Sequence, residues 1–319
     1  MNKYRNHLPQ LGDRFFLTDG GIETTLIYHD HLDLPYFAAF HLLQTSQGES
    51  ALRRYFQTYA EIAAHFHCGL ILESPTWRAS ADWARRLNYT DEELARANRQ
   101  AIDLLETVRD AFQTPRTPIV ISGCLGPRGD GYSPENLMSS REATTYHSTQ
   151  IDTFATTAAD MVCAITMNYV EEAIGITRAA EQADMPVAIS FTVETDGCLP
   201  TGQHLRGAIE QVDKETGGYP SYFMINCAHP SHFEAVLGDF EGGLARIKGL
   251  RANASRKSHA ELDAATELDS GDPHELARQY AELVQRHPQL NVLGGCCGTD
   301  HRHIEKIAKA CLPTQRLAS

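Results

Sequence analysis

The amino-acid sequence predicts an α/β protein built as a (β/α)8 barrel, in one domain that spans residues 1–319 and has its core at about 13–311. Eight short apolar runs recur along the chain, and a stretch suited to a helix follows each of them. Most of the runs are continuous rather than alternating in polarity, which is typical of parallel strands buried on both faces. This order indicates a closed barrel, with a doubly wound open sheet as the alternative.

The predicted strands carry the apolar runs in chain order. They occupy residues 15–20, 70–76, 118–126, 160–166, 186–193, 222–228, 246–254 and 291–298. In either α/β architecture, active sites gather at the carboxyl ends of such strands. The residues that follow each run are therefore the first place to look for chemistry.

Helix signals fill the intervals between the strands. Residues 91–112 place apolar side chains on one face with a period of about 3.6 residues. Thr90 followed by Glu93 has the form of a capping box at the start of this helix. Asp272, followed by a proline, is a predicted N-cap, and 299–310 is predicted to be the last helix.

The polar segment 255–272 follows the seventh predicted strand and is predicted to be a loop. It leaves the end of the barrel at which active sites lie. A role in covering the substrate and a purely solvated loop are equally compatible with its composition.

Charge and terminal composition limit the partners. The 319-residue chain has 28 basic and 41 acidic residues, a net charge of −13. Nucleic acid and anionic membranes require a basic face, so neither is expected as a partner. The N-terminal segment lacks the apolar run of a signal peptide, and no stretch approaches the roughly 20 apolar residues of a membrane helix. We expect a cytoplasmic protein with small-molecule partners, and its oligomeric state is not predicted.

Three of the eight cysteines lie at the ends of predicted strands. Cys227 closes the sixth strand, and Cys296 and Cys297 close the eighth. In a barrel only one strand separates these two, so the three sulfurs can reach a common ion. Zinc prefers sulfur and nitrogen ligands in a tetrahedral shell, and catalytic zinc sites leave one position to water or substrate. The pattern makes the three cysteines candidate zinc ligands and catalytic residues.

A zinc ion at this position suits a thiol substrate. A free thiol has a pKa of roughly 8.5 and is mostly protonated near neutral pH, whereas zinc deprotonates a coordinating thiol. Neighbouring side chains in a strand point to opposite faces. We therefore expect Gly294, Gly295 and Gly298 to permit backbone conformations that turn both adjacent sulfurs toward one ion. Two buried thiols, or a disulfide between the neighbours, are the alternatives.

Three motifs occur in order on the predicted strands: T-D-G-G-I-E-T at 18–24, I-N-C at 225–227 and G-G-C-C-G-T at 294–299. Together they resemble the homocysteine S-methyltransferase family, which includes betaine–homocysteine methyltransferase, over about residues 13–311. The resemblance implies a barrel with Zn²⁺ as cofactor, bound by the cysteine after strand six and the pair after strand eight. It also implies methyl transfer from a sulfonium or quaternary ammonium donor to homocysteine, which is a step of methionine biosynthesis.

The resemblance further implies how the substrate is held. In the family the D-G-G segment binds the amino-acid end of homocysteine. Asp19 is therefore a candidate for the substrate ammonium, and the Gly20 and Gly21 amides are candidates for its carboxylate. A tight turn that ends in an acid is the structural alternative. Glu23 either caps the following helix or lines the pocket, and Asn226 is a further candidate substrate contact.

One position departs from the family pattern. Family members usually carry a glutamate, within an E-T pair, that binds the substrate amine, and here Ile165 precedes Thr166 at that place. An isoleucine cannot bind an ammonium group. Glu73 and Glu194, at other strand ends, are candidates to compensate, and Thr166 is retained as a candidate substrate contact.

The main functional hypothesis is a zinc-dependent thiol methyltransferase that acts on homocysteine. The isoleucine motivates an alternative, in which the same chemistry acts on another thiol or on a selenol. A third hypothesis, from a different class, is a non-catalytic barrel whose cysteines sense zinc or redox state. The methyl donor stays open among S-methylmethionine, S-adenosylmethionine and betaine.

Overall fold

A closed barrel of eight parallel strands forms the centre of the molecule. The computed structural model describes residues 2–238 and 243–312. Its strands are β1 (Phe16–Leu17), β2 (Gly69–Glu73), β3 (Ile119–Leu125), β4 (Met161–Met167), β5 (Val187–Phe191), β6 (Tyr222–Asn226), β7 (Ile247–Ala252) and β8 (Val292–Gly295). They pair in sequence order, and β8 closes on β1. The predicted (β/α)8 barrel is confirmed, and the open sheet is not formed.

Barrel closure depends on the short strand β1. Phe16 pairs with Gly69 of β2 and with Val292 of β8. A Cβ atom at position 69 would collide with the Phe16 ring. Glycine at this position therefore lets a large aromatic side chain fill the barrel where the first and last strands meet.

Helices surround the barrel. They are α1 (Ser46–Phe66), α2 (Ala81–Arg86), α3 (Asp91–Phe112), α4 (Ser140–Ala155), α5 (Val170–Gln182), α6 (Leu205–Thr216), α7 (Pro230–Gly238), α8 (His259–Asp263), α9 (Pro273–Arg286) and α10 (His301–Cys311). A π-helical segment spans Thr24–His29, and 3-10 turns span Pro9–Leu11, Pro35–Phe37, Ala39–Gln44 and Gly243–Arg246. Over the two described ranges, every helix is too short or too polar to cross a membrane.

Cap geometry bears out two of the predicted helix starts. Thr90 accepts a hydrogen bond from the Glu93 N–H, and Glu93 accepts one from the Thr90 N–H at 2.8 Å, which confirms the capping box of α3. Asp272 caps α9 as predicted. The last helix begins at His301 rather than at residue 299, because the Asp300 side chain caps it there.

The barrel interior changes from apolar to polar along its axis. Toward the amino ends of the strands it is filled by Leu8, Phe16, Ile71, Val120, Met161, Cys163, Ala188, Tyr222, Met224 and Val292. Side chains alternate along a strand, so the next inward residues of β2 and β7 are Glu73 and Arg251. Each of them is only 5% exposed. A charged layer therefore lies above an apolar plug, on the side of the strand carboxyl ends.

The segment 255–272 is more ordered than the predicted loop. It contains α8, which starts with a capping box between Ser258 and Glu261. Its residues Ser255, His259, Leu262, Asp263, Ala265, Glu267, Leu268 and Asp269 line the mouth of the barrel. Of the two interpretations of this segment, the covering role agrees with its position over the mouth of the barrel.

A buried tyrosine of α9 holds the two strands that flank the site. Tyr280 Oη accepts from the Ala252 N–H at 2.8 Å and donates to the Gly294 carbonyl at 2.7 Å. Tyr280→Phe removes both bonds and leaves buried backbone groups unpaired, which should lower the free energy of unfolding by about 1–3 kcal/mol. Urea unfolding followed by circular dichroism measures this loss. The control Tyr28→Phe, at an exposed position, should change little, and equal midpoints for both variants would contradict the assignment.

Candidate active site

The three predicted cysteines converge at the carboxyl ends of β6 and β8. Their sulfur atoms all lie within 4.8 Å of one another, and the Cys227 and Cys297 sulfurs are 3.8 Å apart. Cys227 is joined to Cys296 as a disulfide, whereas Cys297 is free. The convergence expected from strand order is present, and the disulfide between the two adjacent cysteines is not.

The backbone at Cys227 adopts a conformation that is rare for a residue with a side chain. Its φ of 54° lies in the left-handed region, as does the φ of 61° at Thr166. The Asn253 amide and His259 Nε2 donate to the Cys227 carbonyl oxygen at 3.0 and 2.6 Å. Such strained conformations persist where surrounding contacts hold them, and they concentrate at functional sites.

The glycines beside the cysteine pair act in two ways. Gly298 has a φ of 79°, and a Cβ atom there would lie 2.6 Å from a backbone oxygen. Gly298 therefore adopts a backbone conformation that favours glycine, as expected. The same expectation is wrong for Gly294 and Gly295, whose φ values are not positive. Those two positions lack room for a side chain because Thr18 and Thr299 fill the space.

Asn226 hydrogen-bonds residues around the sulfur cluster and contacts one of its sulfur atoms. Its Oδ1 accepts from the Thr166 N–H at 2.8 Å and from the Ser190 hydroxyl at 2.7 Å. Its Nδ2 donates to Thr166 Oγ1 at 2.9 Å and to the Cys296 sulfur at 3.9 Å. The side chain is fully buried, so these contacts favour positioning of its neighbours, and direct contact with substrate stays a prediction.

A cavity of about 290 Å³ opens beside the sulfur cluster. The three cysteines line it together with the predicted substrate residues Asp19, Gly20, Gly21, Glu23, Glu73 and Thr166. Ile165 lines it as well, so the position at which the family carries a glutamate does face the cavity. The barrel thus gathers nearly all the candidate residues around one space.

The first-strand motif is already engaged by the protein itself. Asp19 Oδ1 pairs with Arg251 Nη2 at 2.5 Å, and Asp19 Oδ2 accepts from the Tyr55 hydroxyl at 2.9 Å. The Gly21 N–H donates to the carbonyl oxygen of Thr299 at 3.0 Å and lies 3.2 Å from its hydroxyl. A substrate ammonium near Asp19 would therefore share this carboxylate with an arginine, and the Gly21 amide is occupied.

Two further acids of the cavity have altered protonation equilibria. Burial raises the pKa of Glu73 to about 7, against an opposing effect of Arg251. Burial likewise raises the pKa of Glu23 to about 7. The Glu23 side chain makes no capping bond to the helical segment that follows it. Of its two predicted roles, Glu23 therefore has the one in the pocket lining.

A chain of contacts connects α8 to the sulfur cluster. His259 Nδ1 contacts Glu194 Oε1 at 3.0 Å, and the His259 ring stacks on Tyr132 with centroids 4.1 Å apart. The Tyr132 hydroxyl lies 3.5 Å from the Cys297 sulfur. Glu194 is therefore committed to holding the segment over the mouth, which leaves Glu73 as the other candidate to compensate for the family's missing glutamate.

One face of the cavity carries stacked aromatic and cationic groups. The Arg78 guanidinium lies 3.9 Å from the Trp77 ring centroid and 3.8 Å from that of Trp83. Arg78 also donates to the Gly129 carbonyl oxygen at 2.9 Å. Since Trp77 lines the cavity but has this cation on its ring, part of its aromatic face is already in use.

Sequence reasoning missed Arg251, Tyr132 and His259. Arg251 lies within a predicted strand. The alternation of side chains in a closed barrel could have placed it among the inward-facing residues. Tyr132 and His259 come together from loops far apart in the chain, and no local pattern marks such a contact.

The fold and the site together define a class: an α/β-barrel enzyme with a centre of three cysteine sulfurs at the mouth of its barrel. The model of the homocysteine S-methyltransferase family matches residues 16–311, and the chain belongs to that family. The family inferred from the three motifs is thereby confirmed.

Solved structures agree with this fold. The chain is similar to the homocysteine methyltransferase MmuM from Escherichia coli. For its oxidized form the TM-score is 0.73 at 17% identity, over 96% of this chain and 99% of that chain. For its metallated form the TM-score is 0.72 at 16% identity, over 93% of this chain and 96% of that chain. Likeness at this level of identity establishes the shared barrel.

The raised pKa of Glu73 predicts a pH-dependent stability. The folded protein binds this proton more tightly than the unfolded chain does, so Glu73 lowers the free energy of unfolding as pH rises from the ordinary value of 4.5 to about 7. Relative to wild type, Glu73→Gln should gain up to about 3 kcal/mol above this window and little below it. Urea unfolding across the pH range tests this.

The exposed substitution Glu282→Gln is the matched control for that series. It should leave the pH dependence of the wild type unchanged. A Glu73→Gln effect of the same size at every pH would show that packing, and not the proton, accounts for the difference.

Proposed function

We propose that this protein transfers a methyl group from a cationic donor to the thiol of homocysteine at a zinc site formed by Cys227, Cys296 and Cys297. The observation that carries the proposal is the convergence of three sulfurs within 4.8 Å beside a cavity. The product of this reaction is methionine, which gives the enzyme a place in methionine synthesis.

The donor set suits zinc. Three cysteine thiolates match its preference for sulfur ligands, and a tetrahedral shell leaves one position for substrate. In the described part of the chain, no histidine or carboxylate joins the three-sulfur group. The exposed Cys297 faces the cavity, so a ligand in the cavity would have access to an ion held by the three sulfurs. The disulfide must first be reduced, since each sulfur has to act as a separate thiolate. This requirement fits the cytoplasm that the sequence predicts.

Zinc bound here would lower the pKa of an acceptor thiol so that it is a thiolate at neutral pH. The protein's own residues hold the geometry around that step. Asn253 and His259 fix the backbone of Cys227 through hydrogen bonds to its carbonyl oxygen. The Tyr132 hydroxyl contacts the Cys297 sulfur. A new bond forms between the acceptor sulfur and the methyl carbon as the bond between that carbon and the donor's cationic atom breaks. The cationic atom keeps the electron pair, so the demethylated donor carries one positive charge fewer.

The electrostatics of the cavity favour a cationic donor. It is lined by the acidic residues Asp130, Asp263 and Glu267, and by Asp269, which pairs with Lys257 at 3.5 Å. Their charges attract a sulfonium or quaternary ammonium ion and would repel an anionic donor. The charges of the cavity therefore favour a cationic methyl donor, and experiment must distinguish S-methylmethionine, S-adenosylmethionine and betaine.

The acceptor follows from the family, and one residue keeps an alternative open. Ile165 faces the cavity where family members usually carry an amine-binding glutamate. Another thiol or a selenol acceptor therefore remains the second candidate. Turnover of homocysteine with a lower kcat/KM than a competing thiol would favour that candidate.

A non-catalytic sensor of zinc or redox state is the third candidate. The Cys227–Cys296 disulfide is the observation in its favour. The cavity beside the sulfurs argues for catalysis, because a sensor needs no room for two substrates. Stoichiometric zinc binding without methyl transfer from any donor would support the sensor.

The decisive experiment uses the reduced, zinc-loaded protein. Homocysteine is incubated separately with S-methylmethionine, S-adenosylmethionine and betaine, and methionine is quantified by mass spectrometry. We expect methionine with at least one cationic donor and none when the metal is chelated. Full activity in protein without zinc would refute the mechanism.

Cys297→Ala should remove one zinc ligand while leaving the barrel folded. We expect the zinc content to fall, and methyl transfer to fall by more than the roughly 10–100-fold that loss of an outer contact costs. Metal analysis and initial rates are measured side by side. Cys311→Ala, on the last helix, is the control and should retain both zinc and rate. Wild-type rates for Cys297→Ala would contradict the assignment.

A further inference from the structure

We infer that Arg251 and Glu73 recognise the two charged ends of an amino-acid acceptor, with Arg251 binding its carboxylate and Glu73 its ammonium. The inference deepens the proposed function and rests on it, because it assigns the acceptor's head group to the floor of the same cavity. It concerns two residues of opposite charge that line this floor.

Arg251 lies directly between the strands that carry the cysteines. It is on β7, and its Nε donates to the carbonyl oxygen of Gly295, next to Cys296, at 3.3 Å. Its Nη2 pairs with Asp19 at 2.5 Å. Its Nη1 is buried and has no hydrogen-bond partner in the described part of the chain. One arm of the guanidinium is thus anchored, and another is left for a ligand.

The charge of Arg251 is secure at this depth. Burial alone would lower its pKa, but the carboxylates of Asp19 and Glu73 outweigh burial and raise the pKa above its usual range. A guanidinium held in this way is a strong donor to a carboxylate. The anchoring by Asp19 also restricts the side chain before any ligand arrives.

Glu73 offers the complementary charge. It lies on β2 and is 5% exposed. Its Oε2 is buried and lacks a hydrogen bond of good geometry among the described residues, although the Ser122 hydroxyl and the Cys163 thiol interact with the carboxyl. In the two described ranges, no ion pair within 4.0 Å joins Glu73 to Arg251, although the two side chains interact electrostatically. A gap therefore separates two opposite charges that face one space.

Unpaired buried polar atoms of this kind destabilise the folded protein. A molecule that carries both a carboxylate and an ammonium satisfies both atoms at once. The other candidate contacts are less available, since the Gly21 amide is bonded to Thr299 and Ile165 is uncharged. Because β7 adjoins both cysteine-bearing strands, an acid bound at Arg251 can reach the sulfur cluster with a thiol on a short aliphatic chain.

Binding of three ligands to the reduced, zinc-loaded protein tests the inference. The ligands are L-homocysteine, its decarboxylated analogue and its deaminated analogue, each titrated calorimetrically. A charge-assisted hydrogen bond is worth about 1.5–3 kcal/mol, so homocysteine should bind about 10- to 100-fold more tightly than either analogue. Equal affinity for all three would overturn the inference.

Single substitutions assign the two ends. Arg251→Met should weaken homocysteine binding to the level of the decarboxylated analogue while leaving the affinity for that analogue unchanged. Glu73→Gln should weaken homocysteine binding to the level of the deaminated analogue while leaving the affinity for the deaminated analogue unchanged. Arg278→Met and Glu282→Gln, both on the exposed face of α9, are the matched controls and should bind all three ligands as wild type does. Equal weakening of every ligand by Arg251→Met would overturn its role in carboxylate recognition.

Arg251→Met leaves Asp19 buried without its partner, so a second variant guards against misfolding. The double substitution Arg251→Met with Asp19→Asn removes both charges, and thermal unfolding with zinc analysis reports its integrity. It should show the same selective loss for ligands that carry a carboxylate. Retained discrimination in this folded variant would overturn the inference.

Failure of the proposed function is a separate result. Binding that discriminates the head groups, without methyl transfer from any donor, refutes the transferase and supports the recognition. Methyl transfer with no dependence of acceptor affinity on Arg251 supports the transferase and refutes the recognition.

Discussion

The site depends on the pairing of β6, β7 and β8. Cys227 N–H bonds the Arg251 carbonyl at 3.1 Å, and Cys296 N–H bonds the Ala252 carbonyl at 2.9 Å. Both cysteines therefore attach to consecutive residues of one intervening strand. Strands separated by one neighbour are normally about 9–10 Å apart, yet these two Cα atoms are 5.4 Å apart. The left-handed backbone conformation at Cys227, with a φ of 54°, lies at this point of close approach, where β6 ends.

The same three strands set the electrostatics below the sulfurs. β7 supplies Arg251 to the interior, and Asp19, after β1, fixes one arm of its guanidinium. Beneath this layer the barrel is closed by apolar side chains such as Phe16 and Met161. Charges held above such a plug are poorly screened by water, so each of them acts strongly on a bound ligand. On the proposed assignment, the residues at the floor of the barrel bind the head group and those at the mouth serve the thiol.

The barrel and the sulfur cluster could be predicted because each has a local signal. Eight apolar runs gave the strands, and the order of Cys227 and the adjacent pair gave their convergence. The functions of Gly294 and Gly295 could not be predicted, since a glycine that makes room for Thr18 or Thr299 looks the same in sequence as one that needs a positive φ. The contact of Glu194 with His259 was hidden for a related reason: it joins two loops whose approach is set by tertiary packing.

Arg251 illustrates how a buried pair can couple binding to protonation. Burial raises the pKa of Glu73 to about 7 despite the nearby guanidinium, so near neutral pH the carboxyl is divided between its two forms. An ammonium placed beside Glu73 favours the ionised form of the Glu73 carboxyl. A carboxylate bound to Arg251 has the opposite effect, because it offsets part of the stabilisation that Arg251 gives to the ionised Glu73. A zwitterion that occupies both ends balances these effects, whereas a ligand with a carboxylate alone adds negative charge to a floor that already holds Asp19 and Glu73. If Arg251 and Glu73 bind the head group as proposed, charge balance adds to hydrogen bonding in the discrimination between ligands, and the glutamate that Ile165 replaces is not needed.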